Sequence, residues 1–416
     1  MKIFFSVGEP SGDLHGANLI RELRRQRSDL ELVGYGGPEM EAAGCALHED
    51  LTKLAVMWFL RVLTNIDKFW KLLWRADDYF QQHRPAAVVL IDYPGFNWWI
   101  ARRAKKHGIP VIYYGTPQIW AWASWRVHKM RRLVDHVLCK LPFEANWFKD
   151  RGCNATYIGH PFFDEVRRHQ LDQQFLAEHR PHQGRLVAIL PGSRTQEVAH
   201  NLKYFLKAAQ RVHRQVPDVQ FALTAFKAEH AQLAQQIIAE AQLPADFPLA
   251  IHVKRTPELI YLAECCMAVS GSVSLELLHY AKPTVVLYWI NRVANFLQAY
   301  FRKVKFITLV NLLTTDDIYR SDRANYDPRK PGAEPVLFPE YLTSDDRSDD
   351  LAHHIVVWLT DESSRQACIG KLEALKQVVG DGGASQRGAQ YILDVLDRLP
   401  HAPPQPHFFA AEAARR

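Results

Sequence analysis

Four short stretches of this chain carry residue types that could grip an anion or move a proton, and each follows an apolar run. GEPSGDLHGA (8–17) offers Gly8, Glu9, Ser11, Gly12 and Asp13 directly after KIFFSV. Its glycines let the backbone come close to a ligand, and its N–H groups with Ser11 could hold an anion. The same residues also make an ordinary tight turn with Asp13 near a helix N-terminus. LIDYPGFN (90–97) ends a fully apolar run with Asp92. A carboxylate there stands against low-dielectric walls, as a general base requires, or else caps its own turn ahead of Pro94. ILPGSR (189–194) sets Arg194 beyond Gly192 and Ser193, where a guanidinium could neutralise phosphate oxygens or simply face solvent. SGSVSLE (270–276) places Ser270, Gly271, Ser272 and Ser274 so that backbone donors could face a diphosphate at a helix start. Glu276 could accept from a ribose diol there, or could be an acid favourably placed at a helix N-terminus without any ligand.

Other chemistries lose their simplest support. GYGGPEM (34–40) begins like a dinucleotide loop, but the third glycine of G-x-G-x-x-G falls at Glu39. The patterns G-x-x-x-x-G-K-[ST], H-E-x-x-H and G-x-S-x-G do not occur. Hydride transfer, nucleotide hydrolysis by a P-loop and serine hydrolysis are therefore disfavoured. The six cysteines (45, 139, 153, 265, 266, 368) show no metal-like spacing, and the adjacent pair lies in an apolar run, so buried thiols in a reducing compartment are expected.

The scaffold that must position these loops is legible as a rhythm. KIFFSV, LELVGYG, AAVVLID, PVIYYG, HVLCKL and TYIGH are strand candidates up to residue 160, separated by helix-like stretches and Gly/Pro turns. The rhythm pauses over the polar FDEVRRHQLDQQFLAEHRPHQG and restarts with RLVAILPGSR, VQFALTA, LAIHV, MAVSGS and TVVLYW. This predicts an α/β protein of two Rossmann-like, doubly wound domains, 1–165 and 166–375, with ligands at the carboxyl ends of the strands in a cleft the domains face. A closing helix within 376–398, possible packing of it back on the first domain, and a poorly ordered tail over 399–416 complete the expectation.

A length of 416 residues suits two domains, and 48% hydrophobic with 23% charged residues is an ordinary globular composition. The net charge of +6 permits nucleotides, phosphosugars or lipid headgroups as partners without selecting among them. MKIFFSVGEPSGD reads as a first strand and its loop, not a signal peptide, and no run approaches ~18 apolar residues. A cytosolic protein, with a membrane surface left open, is the expectation.

Taken in order, GEPSGDLHGANLI, GYGGPEMEAAGC, LAVM, IDYPGFN, YYGTPQIWAW, LPFE, IGHPF, LPGSRTQEV, SGSVSLELL, VNLL and FPEYL resemble the lipid-A-disaccharide synthase family over residues 8–342. The resemblance implies a GT-B glycosyltransferase. Its reaction would be an inverting, metal-independent transfer from UDP-2,3-diacylglucosamine to 2,3-diacylglucosamine 1-phosphate, giving a β-1,6-linked disaccharide phosphate and UDP. It implies that Asp92 is the base and Arg194 stabilises the leaving diphosphate. By analogy with GT-B donor sites, residues 270–274 would hold phosphate and Glu276 ribose. No cofactor, metal or nucleic acid is implied, and no oligomeric state is specified. The alternatives are another GT-B UDP-sugar transferase with a different acceptor, or a catalytically silent nucleotide-sugar or lipid-binding protein.

The chain also departs from the family. Many members have an aspartate where Gly95 stands, often a glycine where Trp58 follows LAVM, and an arginine directly after WAW, where this chain runs on as ASWRVHKM. Arg126 is a candidate substitute. Trp58 opens WFLRVLTNIDKFWKLLWR (58–75), in which Trp58, Val62, Ile66, Phe69, Trp70, Leu73 and Trp74 spread over an apolar arc. Arg61, Lys68, Lys71 and Arg75 form a basic strip, and Phe59 adds to the aromatic content. An ordinary amphipathic helix would bury that arc; given acylated substrates, a helix lying on an anionic membrane is the other reading. Nine of the eleven tryptophans lie between 58 and 147, so the first domain is expected to handle lipid, at the inner face of the cytoplasmic membrane. RVANFLQAYFRKVKF (292–306) is a second stretch of this kind, for which a core helix is the alternative.

Overall fold

The computed structural model describes residues 1–55, 66–181 and 184–398. Its strands are Lys2–Val7 (β1), Glu31–Gly36 (β2), Ala46–Asp50 (β3), Ala87–Ile91 (β4), Val111–Tyr114 (β5), His136–Cys139 (β6), Ala155–Tyr157 (β7), Arg185–Leu190 (β8), Val219–Ala225 (β9), Leu249–Val253 (β10), Cys265–Ala268 (β11), Thr284–Trp289 (β12) and Glu340–Thr343 (β13). They form a seven-stranded sheet in the order β3-β2-β1-β4-β5-β6-β7 and a six-stranded sheet in the order β10-β9-β8-β11-β12-β13. The two sheets, each the product of β-α-β crossovers, are the doubly wound α/β architecture the sequence predicts. The central strands read as unbroken apolar runs because helices cover both faces of a parallel sheet; β4, AVVLI, is buried at every position.

Two compact units divide the chain: Met1–Tyr114 with the chain from Ser385, and Gly115–Ala384. In the first, Leu72, Leu73, Ala76 and Phe80 form the buried stripe of the helix Ile66–His83, and Phe80 packs edge-on against Phe4 of β1 at 4.9 Å. The closing helix Ala384–Arg398 belongs largely to the same unit, where Arg27 Nη2 donates to both Asp397 oxygens at 2.7 and 2.8 Å. In the second, the helix Thr195–Gln215 lays Val198, Leu202, Phe205, Ala209 and Val212 into the core over β9 and β12.

Strand order reverses between β1 and β4 in one sheet and between β8 and β11 in the other, and each of these pairs is hydrogen-bonded directly. Chains leaving neighbouring strands to opposite sides open a crevice at their carboxyl ends. The loops that follow β1, β4, β8 and β11 are the four stretches singled out from residue chemistry.

Two strands escape the sequence pattern. β3 is ALHED, partly exposed at the edge of its sheet, and β13 is the four-residue EYLT at the other sheet's edge. Short edge strands carrying acids lack the apolar run that marks the central ones.

Candidate functional site

At the first switch point, Asp92 and Tyr93 both take left-handed backbone, with φ of +44° and +41°. For residues carrying a Cβ this costs about 1–2 kcal/mol each, so the surrounding structure must hold the turn. Asn97, fully buried, does so: its Nδ2 donates to Asp92 O at 2.8 Å and to Ser6 O at 3.1 Å, and its Oδ1 accepts from Ser6 Oγ at 2.6 Å. Tyr113 Oη donates to the same Asp92 carbonyl at 2.6 Å. Strain locked in by buried polar groups aims a side chain. The carboxylate arrives beside the loop after β1, where a Cβ on Gly12 would stand 3.5 Å from Asp92 Oδ2. A Cβ on Gly8 would stand 2.3 Å from the Tyr93 ring, so only glycine fits there.

Within that loop the roles separate. Glu9 and Ser11 are exposed at the start of the helix Pro10–Gln26, whose first residue is a proline with no N–H to satisfy. Asp13 is buried, and its carboxylate accepts the N–H groups of Gly37, Glu39 and Met40 at 2.8, 3.0 and 3.1 Å, capping the helix Pro38–Ala42. Burial pushes its pKa up against those three hydrogen bonds. Asp13 thus ties GEPSGD to GYGGPEM.

At the second switch point, Gly192 has φ of +119° and its Cα faces Glu197 so closely that a Cβ would stand 2.5 Å from the Glu197 Cβ. Glu197 Oε2 accepts the N–H groups of Ser193 and Arg194 at 3.1 and 3.2 Å, and Oε1 accepts Arg194 Nη1 at 3.1 Å. Those two backbone donors therefore serve Glu197, and the Arg194 guanidinium, 73% exposed, is what LPGSR presents outward. The Arg194 guanidinium donates toward the phenol oxygen of Tyr288, near the end of β12, and burial pushes that phenol's pKa up.

In the loop after β11, Ser270 Oγ donates to Ile307 O at 2.7 Å and Ser274 Oγ to Gly271 O at 2.8 Å. Gly271 and Ser272 are exposed ahead of the helix Val273–His279, and a Cβ on Gly271 would meet nothing within 4 Å. Glu276 is half-buried, and its carboxyl is pushed up to about 7 by burial first, then by Glu165 and Glu258. Beside Ser270 lies a cavity of about 380 Å³, lined mainly by apolar atoms of Tyr288, Ile290, Ile307 and Leu342 with Arg302.

A model of the lipid-A-disaccharide synthetase family matches residues 3–321. The lipid-A-disaccharide synthase of Geobacter sulfurreducens is 30% identical over 398 residues, 95% of this chain and 98% of that one. The chain belongs to this family. It is accordingly a glycosyltransferase that forms the lipid A disaccharide from lipid A precursors and a UDP-sugar. Two solved structures share the GT-B fold. A UDP-GlcNAc 2-epimerase from Neisseria meningitidis bound to UDP-GlcNAc has a TM-score of 0.61 at 12% identity, covering 95% of this chain and 100% of that one. The glycotransferase of kitacinnamycin has a TM-score of 0.58 at 15% identity, covering 96% and 99%.

Buried carboxylates account for the family's other segments, to which residue chemistry alone assigns no role. Glu144 of LPFE is fully buried; it accepts the N–H groups of Lys140 and Leu141 at 3.0 Å each and the Trp120 indole N–H at 2.7 Å, joining LPFE to QIWAW. Glu340 of FPEYL, also buried, accepts from Ile307 N, Thr308 N, Thr308 Oγ1 and Asn311 Nδ2 at 2.6 to 3.1 Å, joining FPEYL to VNLL. It thereby sets the Ile307 carbonyl on which Ser270 rests. Of these carboxylates, Glu197 and Glu144 carry a local signal, an acid three positions after a helix N-cap.

Trp58, Phe59, Arg61 and Val62, with the side chain of Ile66, lie outside the described residues. In the rest of that segment the apolar arc splits. Leu73 is buried and Phe69 half-buried against Phe96, whereas Trp70 and Trp74 are exposed among Lys68, Lys71 and Arg75. Trp70 lies 5.7 Å from Trp99, and Arg103 stacks over Trp74 at 4.4 Å. Arg126 ends the 3₁₀ turn Ser124–Arg126, partly exposed.

Proposed function

We propose that the enzyme transfers the 2,3-diacylglucosaminyl group of UDP-2,3-diacylglucosamine to the primary hydroxyl of 2,3-diacylglucosamine 1-phosphate. Asp92 takes the hydroxyl proton as the oxygen attacks the anomeric carbon from the face opposite UDP. The bond from that carbon to the diphosphate oxygen breaks, the configuration inverts to β, and the electron pair leaves with UDP. Arg194 stabilises the charge that develops on the diphosphate, the task a metal ion serves in other transferases. The backbone of 270–274, with Gly192 and Ser193 shaping the neighbouring loop, receives the phosphates, and Glu276 accepts from the ribose diol.

The observation that carries this reading is the placement of Asp92, Arg194 and the SGSVSLE turn at two topological switch points in a chain of this family. Glu276 stands in the first turn of the helix Val273–His279, directly after the phosphate-receiving residues. The apolar cavity beside Ser270 suits an acylated sugar. Gly8, Glu9, Ser11 and Gly12 line the acceptor side, with Asp13 holding the loop in shape.

The enzyme works on an anionic membrane surface at the cytoplasmic face, with Trp70 and Trp74 at the acyl boundary and Lys68, Lys71 and Arg75 on headgroup phosphates. No described helix is long and apolar enough to cross a membrane. Release of UDP on mixing both acylated substrates tests the proposal; release with a different lipid acceptor and none with the acylated glucosamine phosphate contradicts it.

A further inference from the structure

The helix Arg292–Phe301 is amphipathic in the inverse sense. Val293, Phe296, Leu297, Tyr300 and Phe301 recur at i, i+3, i+4, i+7 and i+8, one stripe of a helix, and are 70, 73, 52, 61 and 54% exposed. No residue of the helix is buried, so it is not a core helix; the stretch reaches the core only past the helix end, at Val304 and Phe306. The side turned to the protein carries only small and polar residues, Ala294, Asn295, Gln298 and Ala299. Gln298 Nε2 donates to Asn295 Oδ1 and Asn325 Oδ1 at 3.1 Å each, and Arg302 Nη2 donates to Asn325 Oδ1 at 2.9 Å. A helix that met only water outside would place these sides the other way round, because burying the apolar stripe is what stabilises it.

The patch continues beyond the helix. Lys303 N donates to Ala121 O at 2.8 Å and Lys303 Nζ to Ser124 Oγ at 3.0 Å. These bonds hold the end of the helix against the turn in which Trp122 and Trp125 are 55 and 57% exposed. Buried Trp120, fixed by Glu144, anchors that turn from beneath. Residues 291–305 contain Arg292, Arg302, Lys303 and Lys305 and no acid; Lys305 is paired with Glu334 at 3.1 Å, which leaves Arg292 and Lys303 as the exposed cations of the stretch. Arg323 stacks over the Tyr300 ring at 4.2 Å.

We propose that this face of the second unit is a membrane-docking surface. The stripe and the two tryptophans enter the headgroup–acyl boundary of an anionic bilayer, and Arg292, Lys303 and Arg323 meet its phosphates. The inference rests on the proposed function, in which both substrates carry acyl chains and are met at a bilayer. A second copy of the chain is the poorer occupant, since docking the helix on itself would set Arg292 and Lys303 against their counterparts with no acid in the stretch 291–305 to pair them.

Flotation of the full chain with phosphatidylglycerol-containing vesicles, and with phosphatidylcholine vesicles alone, tests this. Phe296→Ser/Tyr300→Ser and Trp122→Ser/Trp125→Ser alter side chains more than half exposed, so thermal unfolding stays at the wild-type temperature. Wild-type protein floats with the anionic vesicles, less so in high salt. Each variant partitions about tenfold more weakly, while turnover of substrates in detergent micelles is unchanged for Phe296→Ser/Tyr300→Ser. Flotation equal to wild type in both variants overturns the proposal. So does a loss of self-association on light scattering with flotation intact, which assigns the patch to a second copy. Absence of turnover by wild-type protein in micelles would instead count against the proposed function, and is read separately.

Discussion

Glu197 holds Arg194 at both ends, its Oε2 accepting the Arg194 backbone N–H at 3.2 Å and its Oε1 accepting Nη1 at 3.1 Å. One carboxylate thus caps the helix Thr195–Gln215 and orients the guanidinium that the loop presents outward. Arg194→Ala should lower turnover by about 10²- to 10³-fold, the usual cost of losing one donor to developing charge. Glu197→Gln keeps one acceptor oxygen but loses the charge; turnover should fall about tenfold, with about 1 kcal/mol lost from the cap. Steady-state kinetics beside thermal unfolding checks both. An Arg194→Ala enzyme with wild-type turnover would make Arg194 a surface residue.

Asp92 sits on a turn whose two left-handed residues are held by Asn97 and Tyr113. Asp92→Asn preserves that backbone and removes the base. Turnover should drop by about 10²- to 10⁴-fold, while UDP affinity by calorimetry stays at the wild-type value. A parallel loss of UDP binding would place Asp92 in nucleotide recognition.

Glu276 gives a pH signature. Ribose hydroxyls donate more strongly to the carboxylate than to the neutral acid, so UDP binding lowers a pKa that burial has pushed up to about 7. UDP affinity should therefore rise with pH through about 7, over and above the titration of UDP itself. Glu276→Gln accepts at every pH and should lack that rise. The sign for stability is opposite. With a folded-state pKa above the ordinary 4.5 of a glutamate, the folded protein binds the extra proton. Wild type should thus lose stability relative to Glu276→Gln as pH climbs from about 4.5 through about 7. Identical pH profiles of UDP affinity in the two proteins would leave Glu276 as a helix-terminus acid only.

How far the sequence discloses this arrangement depends on the range of each interaction. The central strands announce themselves because a doubly covered parallel sheet needs runs such as AVVLI. The loops follow, since they are whatever comes next. Carboxylates whose partners lie far along the chain do not. Asp13 reads as a loop acid, yet it caps a helix 24 to 27 residues on; Glu340 binds backbone and side-chain donors 29 to 33 residues before it. The aromatic segments were ambiguous for a related reason. Helical periodicity groups Trp70, Leu73 and Trp74 together, but only packing decides that Leu73 turns inward and the tryptophans outward.

Gly95 is open to a direct test. A Cβ there would meet nothing within 4 Å, and the residue occupies the first turn of the helix Pro94–Lys106. Gly95→Asp should stabilise the protein by about 0.5–1 kcal/mol, through helix propensity and favourable charge at the helix N-terminus. Thermal unfolding should shift upward by about 1–3 °C. A downward shift would show that the position excludes a carboxylate, and that the family departure at Gly95 is structural.

The measurement that bears most directly on the central claim is UDP release by purified protein given UDP-2,3-diacylglucosamine with and without 2,3-diacylglucosamine 1-phosphate, in detergent and with EDTA present. UDP should appear only with both substrates, at a rate EDTA leaves unchanged, together with a β-linked disaccharide phosphate. No UDP release contradicts the assigned transfer, and release abolished by EDTA contradicts a mechanism in which Arg194 alone carries the countercharge.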